Sequence, residues 1–214
     1  MNKEPLNNYS PLEEKFNIYT HCLGFILSII ALFYLTIKSV NTGQFNIIFS
    51  FVIFGISMIL LYLASTLYHS AKDPYKRSIL KILDHVSIYV LIAGTYTPYT
   101  LVSLKYAHGF TIFSIVWIFA ILGILLKLLY TGKFKLLSTL LYVFMGWMIV
   151  FSFSDLQHNL SANGIEWLVA GGIAYTIGAI LYSIKQIPFN HAIFHVFVLL
   201  GTFCHFISIF LYVK

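Results

Sequence analysis

Four ionisable residues with the chemistry of a metal centre interrupt an otherwise very apolar chain: His69, Asp84, His191 and His195. Ionisable groups at the ends of apolar spans are costly unless they face the interior of a helix bundle and have a partner there. Neutral imidazoles suit zinc, and three of them leave one coordination position open for water. The set therefore predicts an open zinc site of the catalytic type.

The spacing of these residues supports a shared ion. His191 and His195 are four residues apart, which on a helix puts both imidazoles on one face, about 6 Å apart along the axis. Two nitrogens at this spacing can share one metal ion. Ser65 and His69 have the same spacing, so we expect His69 to supply the third nitrogen and Ser65 to hydrogen-bond around the site.

Zinc lowers the pKa of bound water to about 7 and polarises carbonyl groups. Asp84 is then either a fourth ligand or a general base that moves the proton of the water, and three available histidines favour the base. The predicted site lies in the hydrocarbon region of the membrane, just below the lipid headgroups. Since the amide or ester bond of a lipid lies at that depth, a lipid amide or ester is the expected substrate. The alternative is that these histidines only form hydrogen bonds between helices, each of which stabilises the bundle by about 1 kcal/mol.

The composition is that of a membrane protein, because 59% of the 214 residues are apolar and only 9% are charged. The net charge of +6 comes from short loops between apolar runs and forms no stripe along a helix, so nucleic acid is not an expected partner. Cys22 and Cys204 lie singly in apolar runs, which predicts neither a disulfide nor a thiolate metal site.

The apolar runs are near the length of about 20 residues that crosses a bilayer. Turn-forming residues separate them, and none shows the alternation of a membrane barrel. We therefore predict an all-α integral membrane protein, a seven-transmembrane helix bundle, with spans at 21–38, 46–69, 80–103, 110–130, 135–154, 164–184 and 189–213.

The distribution of basic residues predicts the orientation. Ten lie on the side of the amino terminus and three on the other, which predicts a cytoplasmic amino terminus and an external carboxyl terminus. The three are Lys38, Lys105 and Lys214; the ten are Lys3, Lys15, Lys72, Lys76, Arg77, Lys81, Lys127, Lys133, Lys135 and Lys185.

With this orientation, the three histidines and Asp84 all fall near the cytoplasmic leaflet. We expect residues 1–20 to form a cytoplasmic amino-terminal segment, without a secretory signal peptide, and 21–214 to form one transmembrane domain.

The other histidines are predicted to have lesser roles. His21 lies at the cytoplasmic end without an i, i+4 partner, so it is placed around the ligands rather than among them. His85 is expected to pack, since it points about 100° away from Asp84 around the helix. His205 lies about 21 Å along the helix from His191 and is expected to be a buried hydrogen-bonding residue. The remaining two are expected to be solvated in external turns: His108 and His158.

The third span contains a proline that is expected to kink the helix, with neighbouring threonines satisfying freed carbonyl groups. Two interpretations remain open: a kink that only serves packing, or a bend that widens the bundle into a cavity beneath Asp84. The segment is Gly94-Thr95-Tyr96-Thr97-Pro98.

These motifs together resemble the hemolysin III family, the bacterial members of the progestin and adipoQ receptor family. The resemblance runs from about residue 14 to the end of the chain, and it rests on Glu14-x-x-Asn17-x-x-Thr20-His21-x-x-Gly24, Ser65-x-x-x-His69, Asp84-His85, Ala93 to Pro98, and His191-x-x-x-His195.

The resemblance implies seven helices with an internal amino terminus, in a bacterial plasma membrane. It also implies a zinc ion held by His69, His191 and His195, a water between zinc and Asp84, and Ser65 nearby. Related adiponectin receptors and alkaline ceramidases are linked to hydrolysis of the ceramide amide bond. The bacterial branch is named for haemolytic activity and is described as pore-forming.

Three functions follow as hypotheses: a zinc-dependent lipid amide or ester hydrolase, a pore-forming or membrane-disrupting haemolysin, and a non-catalytic membrane protein with a structural zinc. Membrane lipids are the expected partners. The external loops are only a few residues long, so no protein hormone is expected to bind. Glu14 and Asn17 are expected to cap and anchor the first helix at the mouth of the site.

Overall fold

A computed structural model describes residues 9–130 and 135–214, and in this part of the chain every regular element is helical. Lys3, Lys133 and the turn-forming residues Thr131 and Gly132, which separate the predicted fourth and fifth spans, lie outside the described residues. The α-helices are α1 (Pro11–Val40), α2 (Phe45–Ser70), α3 (Pro74–Pro98), α4 (Gly109–Leu129), α5 (Lys135–Trp147), α6 (Phe153–Asn159), α7 (Ala162–Ser183) and α8 (Asn190–Tyr212).

Within the described residues, seven helical segments are long and apolar enough to cross a membrane. The predicted all-α fold with seven spans is therefore confirmed. The fifth span is interrupted, because a 3₁₀ turn at Met148–Ser152 separates α5 from α6. α1 packs against both α2 and α8, so the first and last spans of the chain are neighbours.

The helices begin where capping residues and prolines permit. The Ser10 hydroxyl accepts a hydrogen bond from the Glu13 N–H, and Pro11 occupies the first turn, where its missing N–H costs nothing. Asp73 and Pro74 start α3 in the same way. α1 thus begins well before the apolar run that starts at residue 21, and its first turns carry polar side chains into the bundle.

The proline in the third span does end the regular helix. α3 stops at Pro98, and a π-helical turn follows over Tyr99–Ser103. The Thr97 hydroxyl donates to the Ala93 carbonyl at 2.8 Å, and the Thr100 hydroxyl donates to the Tyr96 carbonyl at 2.9 Å. The helix type therefore changes at the predicted proline, and threonine hydroxyls are bonded to backbone carbonyl groups around it.

A cavity of about 50 Å³ lies beside this break, with Thr95, Tyr99 and His205 in its wall. Thr95 is about 16 Å along the helix from Asp84, at a rise of about 1.5 Å per residue. The cavity therefore lies several helical turns from Asp84 and has none of the three predicted metal ligands in its wall.

The close approach of α1 depends on Gly24. A Cβ atom at this position would lie 2.6 Å from Cδ1 of Tyr62 on α2 and 2.8 Å from Cδ2 of Leu199 on α8. The Tyr62 ring cannot move aside easily, because it is buried and its hydroxyl donates to Thr202 Oγ1 at 2.8 Å. Gly24 is therefore the point where three helices meet.

We predict that Gly24→Ala lowers the thermal unfolding temperature of the detergent-solubilised protein, since overpacking a tight contact costs about 1–3 kcal/mol. Gly146→Ala is the matched control, because an added Cβ there meets no atom within 4 Å. Equal unfolding temperatures for the two variants would show that α1 does not depend on this contact.

Candidate metal centre

The three predicted histidine ligands come together at one end of the bundle. His69 lies in the last turn of α2, and His191 and His195 lie in the first two turns of α8. All three side chains are buried, and one nitrogen from each lies within 4.8 Å of the other two. Residues more than a hundred positions apart in sequence therefore form one cluster.

The Nε2 atoms form the centre of this cluster. His191 Nε2 lies 3.1 Å from His69 Nε2 and 3.1 Å from His195 Nε2. Two nitrogens bound at about 2.0 Å to one tetrahedral zinc ion lie about 3.3 Å apart. The donor type, donor number and separations therefore fit a zinc ion held by Nε2 atoms.

The opposite ring nitrogens of two of these histidines contact α1. His69 Nδ1 lies 2.6 Å from Glu14 Oε2, and His195 Nδ1 lies 3.3 Å from the Asn17 carbonyl oxygen. Both acceptors require a proton on Nδ1, and a neutral imidazole then carries its lone pair on Nε2. The surroundings of the two rings thus direct lone pairs toward the cluster centre.

His21 is close to the cluster but not part of it. Its ring stacks on that of His195 with a centroid separation of 3.5 Å and an angle of 8°. Neither of its buried nitrogens has a hydrogen-bond partner among the described residues. The prediction that His21 lies around the ligands rather than among them agrees with this arrangement.

Asp84 and Ser65 are not among the mutually close ligand atoms. Asp84 is half-buried on α3 and lies within electrostatic reach of Tyr68, Tyr182 and Tyr9. The Ser65 side chain, one turn before His69, is fully buried, and its Oγ has no partner among the described residues. Their catalytic roles remain predictions.

Tyr9 is a neighbour of the site that the sequence did not reveal. Its ring stacks on His191 with a centroid separation of 4.7 Å and an angle of 17°. Burial raises the pKa of Tyr9, and the nearby Tyr182, Tyr68 and Asp84 raise it further. Its hydroxyl is therefore protonated and can donate a hydrogen bond beside the cluster.

Arg77 was also missed, because its charge was used only to predict topology. Its side chain is buried and pairs with Glu14 Oε1, and its guanidinium lies over the Tyr68 ring, 4.7 Å from the centroid. One signal was available: Arg77 is the single arginine among 13 basic residues. A multidentate hydrogen-bonding role requires the guanidinium group, which lysine cannot replace.

The remaining histidines do not belong to the group of mutually close ligand atoms. His85 Nδ1 lies 2.5 Å from the Lys81 carbonyl oxygen in its own helix, and His205 Nε2 lies 3.1 Å from the Leu168 carbonyl oxygen. The predictions of a packing residue and of a buried hydrogen-bonding residue agree with these contacts. His108 and His158 are exposed, as expected. The expectation of a turn is wrong for His158, which lies in the last turn of α6.

Comparison with known proteins gives a consistent family. The family described as "Haemolysin-III related" matches residues 9–206. "Hemolysin-3" of Bacillus cereus is 45% identical over 94% of this chain and 92% of its own length. "Hemolysin-3 homolog" of Bacillus subtilis is 48% identical over 94% of each chain. The human "Monocyte to macrophage differentiation factor" is 27% identical over 75% of this chain and 68% of its own length.

The fold and the histidine cluster define a multi-pass membrane protein with a potential metal site buried at one end of its helix bundle. The comparisons identify the family within this class of membrane proteins. The chain belongs to the hemolysin III family and is a protein of a bacterial membrane.

We predict that the purified protein binds about one zinc ion and that His195→Ala removes it, because two imidazoles are too few for a tight zinc site. Zinc content is measured by elemental analysis after exchange into metal-free buffer. His205→Ala is the matched control, a buried histidine of the same helix outside the cluster. Equal zinc content in both variants would contradict the assignment.

Proposed function

We propose that this protein is a zinc-dependent hydrolase that cleaves a lipid amide or ester at the cytoplasmic leaflet, in the manner of a ceramidase. The observation that carries the proposal is the convergence of three buried Nε2 atoms at one end of a membrane bundle. A structural zinc site is normally closed by four protein ligands, whereas three histidines leave a position for a reactant.

The three imidazoles would hold the ion through Nε2. Bound zinc supplies Lewis acidity and lowers the pKa of coordinated water to about 7. The histidines contribute neutral, oriented donors, and the surrounding helices exclude bulk solvent. This environment strengthens the electrostatic effect of any nearby charged or polar group.

Asp84 is the proposed general base. Its carboxylate makes no hydrogen bond or ion pair with any described residue, so it is available to accept a proton. It lies outside the group of mutually close ligand atoms, which favours proton transfer over metal binding. Ser65 Oγ, buried one turn from His69 and without a described partner, is suited to orient the substrate or the attacked carbonyl group.

The position of the cluster favours a lipid substrate. His69 ends its span and His191 begins its span, so the cluster lies near the boundary between the apolar slab and the headgroups. Amide and ester linkages of membrane lipids lie at this depth, whereas a polar substrate would have to cross apolar helix surface. The excess of basic residues at this end supports the cytoplasmic leaflet.

We predict that Asp84→Asn retains zinc but lowers lipid hydrolysis at least about 100-fold, since a positioned general base contributes about 10²- to 10⁴-fold. Hydrolysis is measured in lipid nanodiscs with ceramide, N-acyl and ester lipids, and zinc is measured on the same samples. Asp155→Asn is the control, because Asp155 lies in the short helix α6 and does not belong to the helices that carry the three histidines.

Two outcomes would contradict the hydrolase. One is zinc-loaded wild-type protein that cleaves none of these lipids. The other is an Asp84→Asn variant that retains full turnover. If chelation of zinc lowers the thermal unfolding temperature and no lipid is cleaved, the ion is structural.

A second candidate function is membrane disruption, favoured by the name of the Bacillus cereus relative, "Hemolysin-3". A pore formed by the apolar bundle does not require the histidine cluster. Dye release from liposomes would then survive alanine at His191 and His195. Release that disappears in this double variant, or that never exceeds the level of an unrelated seven-helix protein, argues against the pore.

A further inference from the structure

The first helix carries polar residues that the proposed hydrolysis does not use. Glu14, Asn17, Thr20 and His21 recur at helical spacing, so they share one face of α1. This face lies against α2 and α8, the two helices that carry the three histidines. α1 is therefore a third helix with polar groups next to the cluster.

Helix capping does not explain Glu14. Ser10 caps α1, since its hydroxyl accepts from the Glu13 N–H at 3.1 Å, and the Glu14 N–H donates to the Ser10 carbonyl at 2.9 Å. The expectation that Glu14 caps the helix is therefore wrong. Its carboxylate instead turns into the bundle, where Oε2 lies 2.6 Å from His69 Nδ1.

The second oxygen of the same carboxylate is fixed by Arg77. Oε1 accepts a hydrogen bond from Arg77 Nη2, while Arg77 Nη1 donates to carbonyl groups at the end of α2. These carbonyls belong to Tyr68 and Ala71, at 3.3 and 3.2 Å, where the regular hydrogen bonding of α2 ends. The guanidinium thus holds the carboxylate in one position relative to the helix that carries His69.

We propose that Glu14 is a positioning residue of the metal centre, which fixes the ring of His69 so that Nε2 faces the ion. The proposal rests on the metal site of the proposed function but not on hydrolysis. The carboxylate accepts a hydrogen bond from the Nδ1–H group of His69. This selects the tautomer whose Nε2 lone pair is free. A carboxylate behind a metal-binding imidazole also increases its strength as a ligand.

The same helix positions a second ligand through its backbone. His195 Nδ1 lies 3.3 Å from the Asn17 carbonyl oxygen and 3.4 Å from Thr20 Oγ1. The His21 ring covers one face of the His195 ring. One helix therefore orients two of the three ligands, and the polar motif of α1 is the outer layer of the metal centre.

The test compares Glu14→Gln and Glu14→Leu by zinc affinity, measured against a competing chelator, and by the visible absorption of the cobalt-substituted protein. We expect Glu14→Leu to weaken zinc binding about 10- to 100-fold and to shift the cobalt bands. Glu14→Gln should lie between this variant and wild type, because its amide oxygen can still accept a hydrogen bond from His69 Nδ1 but carries no charge, and its NH2 group cannot accept from Arg77.

Glu13→Leu is the matched control, a buried carboxylate in the same helical turn without a contact to His69. It should leave both measurements unchanged. If Glu14→Leu does not fold, Glu14→Gln decides the question, since its one amide oxygen keeps an acceptor for His69 Nδ1 while its NH2 group removes the acceptor for Arg77.

The proposal is overturned if the Glu14 variants match wild type in affinity and cobalt spectrum, or if Glu13→Leu changes them equally. A wild-type protein that binds zinc and cleaves no lipid defeats the hydrolase and leaves this inference standing. A wild-type protein that binds neither zinc nor cobalt defeats both.

Discussion

The structure depends on one electrostatic constraint: three imidazoles direct Nε2 atoms at one another inside an apolar bundle. The 3.1 Å separations would bring lone pairs together, which is unfavourable unless a proton or a cation lies between them. Burial makes this stricter, because an unsatisfied polar group away from water costs about 1–3 kcal/mol. The helices that carry these rings can therefore pack as they do only with compensation at the centre.

α1 fixes the orientation of two of these rings through their Nδ1 atoms. Gly24 allows it to approach α2 and α8, and its polar face reaches both ring systems from the side. The buried pair of Glu14 and Arg77 is weak evidence for stability, because removing two charges from water offsets most of their attraction. Its geometry relative to His69 gives it a clearer purpose, which is to orient a ligand.

Part of this arrangement could be predicted from the sequence. Seven apolar runs are a direct consequence of bilayer thickness, and the i, i+4 spacing of His191 and His195 places them together on any helix. The start of α1 at Pro11 was not predicted from the sequence. Hydropathy places polar residues such as Asn17 outside the membrane span, whereas the Asn17 side chain is fully buried in the bundle. The contact of Glu14 with His69 spans 55 residues and Tyr9 belongs to no motif, so only tertiary packing reveals them.

The placement of the ligands also bears on how the protein matures. His69 belongs to the second span, whereas His191 and His195 belong to the last. During membrane insertion the first spans would carry only one of the three clustered imidazoles, that of His69, next to Glu14. The cluster of three histidines would therefore be complete only after α8 has docked against α1.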